Sequence, residues 1–196
     1  MKRLVALITA IMLFAGMVQG QGLLRPGDLL FFSDYDGMGS AISQSTGQYT
    51  HVAIVESIGD TVWIIDATPT YGVSRRPLII NRDDASTIPD AYRFKCHDTE
   101  SYLQRARSFI GQPYDQAFLP DNGAMYCSEL VYECYVSDGE HLFEAQPMNW
   151  RNADGKMPAY WVEHFKKLGI PIPEGIPGTN PTDLAKSRNL VRITAY

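Results

Sequence analysis

An α+β fold is what this sequence predicts, and three features carry that reading. Two β-branched runs, THVAIVES (50–57) and TVWIIDA (61–67), flank Ile58-Gly59-Asp60, the signature of a β-hairpin. Helical periodicity begins only later, over about 98–110, from 127 and over 158–167. Strand patterns come first and helices after, the segregated order of an α+β domain.

The elements follow in order. Met1-Lys2-Arg3 is a short basic region, LVALITAIMLFAGM an apolar run of 14 residues, and Val18-Gln19-Gly20 a small-residue cleavage site. Residues 1–20 therefore read as a secretory signal peptide, with cleavage after Gly20. The run is shorter than the roughly 18–20 residues that span a bilayer. No cysteine sits near the cleavage site to carry a lipid. Residues 21–196 read as one exported domain, periplasmic or secreted, with no integral membrane segment once the leader is removed.

LLRPGDLLFF then passes from a Pro-Gly-Asp turn into a strand. A short helix is expected near 38–45, then the hairpin, then a third strand near 90–95. Asp98 caps a helix to about Ile110, stopped by Gly111-Gln112-Pro113. The loop GQPYDQAFLPDNGAM leads into a helix beginning at about Tyr126 or Cys127. Pro158 opens a further helix at a position where its missing N–H costs nothing. GIPIPEGIPGTNP is expected to be an extended wrap, followed by a short helix from Asn180-Pro181 and a last strand, LVRITAY.

Losing Lys2 and Arg3 with the leader takes the formal charge from −5 to −7. That acidic balance argues against nucleic acid or anionic lipid as an electrostatic partner. Three cysteines remain, Cys96, Cys127 and Cys134, so at least one is unpaired or intermolecular. On a helix, Cys127 and Cys134 would stand roughly 10 Å apart along the axis, beyond the ~7 Å Cα limit of a disulfide. Cys96 could pair with either one.

A cysteine at a helix N-terminus faces unsatisfied amides and the positive end of the dipole, which favours the nucleophilic thiolate. A free cysteine is more often a small buried hydrophobe, so the catalytic reading needs a base. His51 stands near the start of a strand, on the face of Ala53 and Val55. Asp66 lies inside the apolar run VWIIDA, where a carboxylate costs energy unless paired. A two-residue turn at Gly59-Asp60 sets Asp66 opposite Ala53, diagonal to His51 and on its face. A turn at Ile58-Gly59 sets it directly opposite His51. The register between these two would put them on opposite faces. Cys127 as nucleophile, His51 as base and Asp66 as its orienting partner complete the set. The backbone N–H of Cys127 is one oxyanion donor. Tyr126, Asn122 and Tyr114 are candidates for the second donor or for substrate contact.

No cofactor is expected, nor a metal site: HExxH, CxxC and phosphate-loop spacings are absent from the sequence. His141 and His164 lie in polar contexts and are expected to be solvated.

RPGDLLFF, YTHVAIVE, VWIIDATP, GQPYDQAF and YCSELVY occur in that order. Together they resemble the circularly permuted branch of the NlpC-type papain-like cysteine hydrolases, the YiiX/YaeF-like group, over about residues 24–150. Histidine before cysteine is the permuted order. The resemblance implies a small antiparallel sheet presenting a histidine to a helix that carries the nucleophile. It puts these roles at His51 and Cys127, with Asp66 as the polar third member. It also implies a peptide, amide or acyl substrate. An amidase or peptidase acting on cell-wall or other short peptides is the leading expectation. A lipid-directed thiol acyltransferase or esterase would use the same residues, with Tyr35, Phe143 and Trp150 as possible walls of an acyl channel. A catalytically silent binding module is the third alternative.

Overall fold

The computed structural model describes residues 24–35, 37–95 and 98–193. The expected leader, and Cys96 with its expected pairing, lie outside these residues. The first half contains β1 (Leu29–Phe32), α1 (Met38–Thr46), β2 (His51–Ile58), β3 (Val62–Thr68), β4 (Gly72–Pro77) and β5 (Asp90–Phe94). Helices α2 (Thr99–Ser108) and α3 (Cys127–Cys134) follow, with the two-residue strands β6 (Val136–Ser137), β7 (Glu140–His141) and β8 (Gln146–Pro147). The chain then forms α4 (Ala159–Leu168), β9 (Pro177–Gly178), α5 (Pro181–Ala185) and β10 (Leu190–Ile193). This is the expected α+β order.

Six strands form one sheet in the order β10-β5-β1-β2-β3-β4, with every neighbouring pair antiparallel. Alternation assigns its two faces. Leu29, Phe31, Val52, Ile54, Ile65 and Ala67 pack with Leu103, Ala106, Leu130, Val131 and Cys134 of α2 and α3. Leu30, Ala53, Val55, Ile64 and Ala91 form a smaller cluster on the other face. A third cluster, rich in aromatics, joins α1 and α4 to the loop before α3 through Ala41, Phe118, Trp150, Trp161 and Phe165.

The hairpin register departs in detail from a two-residue turn. Ile58 pairs with Val62 and Ser57 with Trp63, so the loop is the three residues Gly59-Asp60-Thr61. Continued unbroken, that register would oppose Asp66 to Ile54, on the wrong face for His51. A bulge at Glu56 restores the parity: beyond it Val55 pairs with Ile64 and Ile54 with Ile65. Asp66 thus stands across from Ala53, diagonal to His51, as the shorter turn would also have set it. Strand β4 was not expected, because GVSRRP carries little apolar character. The proline-rich wrap is extended and pairs through β9 with β8.

Candidate active site

Cys127 is the first residue of α3 and is 5 % exposed. The helix starts there because Tyr126 is extended (φ −95°, ψ 168°) and its N–H donates to Glu129 Oε2 at 3.4 Å. First-turn amides have no acceptor within their own helix, and the N–H of Cys127 is one of them. The wrap pins this end from outside: Thr179 N–H donates to the Tyr126 hydroxyl (3.1 Å), and Ser128 Oγ donates to Thr179 O (3.1 Å). Gly178 permits this approach, since a Cβ there would lie 2.7 Å from Met148 Cγ and 2.9 Å from the Tyr126 hydroxyl oxygen.

His51 opens β2, so the imidazole and the thiol meet at the end of the sheet. Its Nε2 lies 2.8 Å from Asp66 Oδ2. The ring lines the same cleft as Cys127 and interacts electrostatically with its thiol; with Nε2 occupied by Asp66, Nδ1 is the nitrogen left to face it. Asp66 is fully buried (0 % exposed), and its second partner comes from β4. Arg76 pairs with Ile64, hence diagonal to Asp66 on the same face. Its Nε donates to Oδ1 at 3.0 Å and to Oδ2 at 3.1 Å, and its Nη2 donates to Oδ2.

The charges follow from these contacts. Burial acts to lower the His51 pKa, but the hydrogen bond to Asp66 and the interaction with the Cys127 thiol outweigh it and raise it to about 10. Burial acts to raise the Asp66 carboxyl, yet His51 and Arg76 together hold it below the usual carboxylate value. Behind the helix start, burial pushes Glu129 up to about 8, with Asp115, Glu133 and Asp121 adding to the rise. Burial also raises Tyr114, and the adjacent Cys127 adds to it.

Two spaces meet at Cys127. An open cleft of about 1060 Å³, counting the solvent in its mouth, is lined by His51, Arg76 and Cys127 together with Asp34, Thr68 and Tyr114. On the other side is a narrower slot, about 400 Å³ counting open solvent but with only about 30 Å³ that admits a water-sized sphere, its exposed surface almost wholly apolar, between Ile42, Phe118, Tyr126, Met148, Trp150 and Trp161. Tyr114 belongs to both walls. Tyr126 lines the slot, but its hydroxyl is engaged with Thr179. Asn122 does not join the site. It is exposed, and its side-chain carbonyl accepts from Ala124 N–H at 3.0 Å in a local turn. Of the expected channel aromatics, Trp150 lines the slot, Phe143 packs in the main core and Tyr35 is exposed.

His141 is exposed and stacked on Tyr132, whereas His164 is half-buried, with Nε2 2.7 Å from Gln116 O, rather than solvated as expected. Among the described residues, no three His, Cys, Asp or Glu side chains cluster as metal ligands. Arg76 is the site residue that sequence reading missed. The signal for it was indirect: a buried aspartate in an apolar strand calls for more compensation than one imidazole, and the following segment holds two arginines.

The sequence model of the permuted papain-like amidase enzyme family, YaeF/YiiX, C92, matches residues 23–194. Among solved structures, the crystal structure of the metalloprotein yiiX from Escherichia coli O157:H7 is similar, with a TM-score of 0.70 and 21 % sequence identity. The likeness covers 86 % of this chain and 96 % of that one. At that identity it concerns the fold.

Proposed function

The chain belongs to the permuted papain-like amidase family of the YaeF/YiiX type, and on that premise we propose that it is an exported amidase acting through Cys127, His51 and Asp66. Membership makes it a cysteine-dependent hydrolase; the residue roles and the substrate are the proposal. One observation carries it: His51 is held by a buried carboxylate at 2.8 Å and shares one cleft with a thiol at a helix start.

In this reading His51 takes the Cys127 proton, and Sγ attacks the carbonyl carbon of the substrate. The oxyanion accepts hydrogen bonds from the Cys127 N–H and from the hydroxyl of Tyr114, a residue of the cleft wall whose O–H gives up its long contact to Met38 Sδ (3.8 Å). Collapse expels the amine, which leaves with the proton from His51, and an acyl-thioester remains on Cys127. Water then attacks the thioester, His51 taking its proton, and the acid and the free thiol are released. Asp66 holds the ring and supports its charge throughout. Cell-wall or other short peptides fit an exported amidase of this family.

The apolar slot beside Cys127 favours a second reading, in which an acyl group is transferred from lipid. The test is a panel of peptide amides and acyl esters incubated with the mature protein and with Cys127→Ala. Intact-mass measurement would look for an acyl adduct on Cys127. A peptidyl adduct supports the amidase, a fatty-acyl adduct the second reading. No adduct from any member, with no turnover, would leave the binding module ahead. The leader is checked by N-terminal sequencing of the exported protein, which should begin at Gln21.

A further inference from the structure

The reactive form of the proposed site carries a thiolate on Cys127, an imidazolium on His51 and a carboxylate on Asp66. That is two negative charges and one positive in a poorly solvated place. Asp66 has no contact with water, and Cys127 is 5 % exposed. Such an imbalance favours protonation of the thiolate, because a buried net charge is costly. A second positive charge restores neutrality, and Arg76 brings it. Its side chain is 33 % exposed, forks onto Asp66 and lines the same cleft as Cys127.

We propose that Arg76 is a positioning residue that balances the charge of the thiolate–imidazolium–carboxylate state. This rests on the reading of Cys127 and His51 as the reactive pair. The other ionisable groups near the pair cannot replace it. Asp34 and Tyr114 share the cleft, Tyr71 stands beside Arg76, and Tyr126, Glu129 and Asp115 lie around the start of α3. All of these are neutral or negative. Arg76 is the one permanently cationic side chain among the described residues lining the cleft. Removing it raises the proton affinity of every group it faces, so the pair reaches its reactive form at higher pH.

The experiment is the pH profile of Cys127 alkylation by iodoacetamide, with peptide mapping to separate it from the other thiols. The variants are Arg76→Gln, Arg76→Lys and His51→Ala. In Arg76→Gln the half-rise of the profile should move upward by at most about one pH unit, the low end for an adjacent opposite charge, because Arg76 touches Asp66 and faces the thiol only across the cleft. Arg76→Lys keeps the charge without the fork, so its half-rise should stay near wild type even where its rate is lower. A Gln variant whose rate drops uniformly with an unmoved half-rise would assign Arg76 a purely structural role and overturn the proposal. So would a Lys variant that shifts as far as Gln. If His51→Ala changes the profile and Arg76→Gln does not, this inference alone fails. If neither changes it, the reactive pair itself was misread. Should Arg76→Gln fail to fold by circular dichroism, Arg76→Met, which keeps the stem packed, enters the same assay.

Discussion

Replacing Asp66 by asparagine keeps the side-chain shape and removes the charge. Asp66 is fully buried and accepts from His51 Nε2 at 2.8 Å and Arg76 Nε at 3.0 Å, with Arg76 Nη2 on the same oxygen as His51. Hydrogen bonds involving a charged group contribute about 1.5–3 kcal/mol each, and breaking a buried pair from one side costs about 3–5 kcal/mol. Arg76 is 33 % exposed and can recover hydration once its partner is neutral. The expected loss is therefore near the lower end, about 2–3 kcal/mol at neutral pH. Its pH dependence has a definite sign. The folded-state pKa of Asp66 is depressed, so its stabilisation is fully present above the unfolded value of about 3.9. It is lost as pH falls through the lower folded value. Urea unfolding of both proteins in parallel, at neutral pH and through a descending acid series, measures this. The gap between them should hold above about pH 5 and close in acid. A neutral-pH loss below about 0.5 kcal/mol, the scatter of ordinary surface substitutions, would mean that the buried carboxylate gains nothing from its two partners. A gap that persists unchanged in strong acid would separate the loss from the carboxylate's charge. The same substitution should slow alkylation of Cys127 by weakening support for the imidazolium.

Other outcomes follow from the same contacts. Cys127→Ala should abolish turnover and covalent capture of substrate while leaving thermal stability within about 1–2 kcal/mol, since only a sulfur is removed from a buried site; loss of the fold instead would recast Cys127 as structural. Because the His51 pKa is raised to about 10, its stabilisation is complete below the unfolded value of about 6.5 and fades as pH rises from there toward 10. His51→Gln should flatten that alkaline decline in unfolding free energy, and an equal decline in both proteins would count against the contact. Gly178→Ala should cost about 1–3 kcal/mol through overpacking against Met148 and Tyr126, and a neutral result in a melting experiment would mean the wrap yields easily. Glu129, raised to about 8 by burial, keeps its proton well above the usual carboxylate range, and its burial weakens the fold increasingly between about pH 4.3 and 8. Glu129→Gln should gain on the wild type across that window; a difference independent of pH would sink the assignment.

Much of the site was legible because its chemistry is local or parity-based. Cys127 announces itself at the junction of a polar loop and an amphipathic run. Alternation in THVAIVES gives the face of His51, and an aspartate inside VWIIDA must find a partner. Arg76 was hidden because GVSRRP looks like a loop, and it becomes a strand only by pairing with β3. Asn122 and Tyr114 could not be told apart in the sequence, since both stand shortly before Cys127. The chain path turns Asn122 toward its own backbone and Tyr114 into the cleft.

Residue types, their order and the period of each run belong to the sequence, because propensity and alternation act over a few neighbours. Whether Asp66 faces His51 does not. The three-residue loop alone would have turned Asp66 to the opposite face, and the bulge at Glu56 reverses that. Glu56 is held by Arg75 from β4 (3.1 Å) and by Arg107 from α2 (2.9 Å), residues 19 and 51 positions away. Arg75 is itself seated over the Trp63 ring at 4.0 Å. Glu56 at the bulge meets these distant partners only once their segments have packed, so it is in the folded chain that the aspartate, the histidine and the thiol become one site.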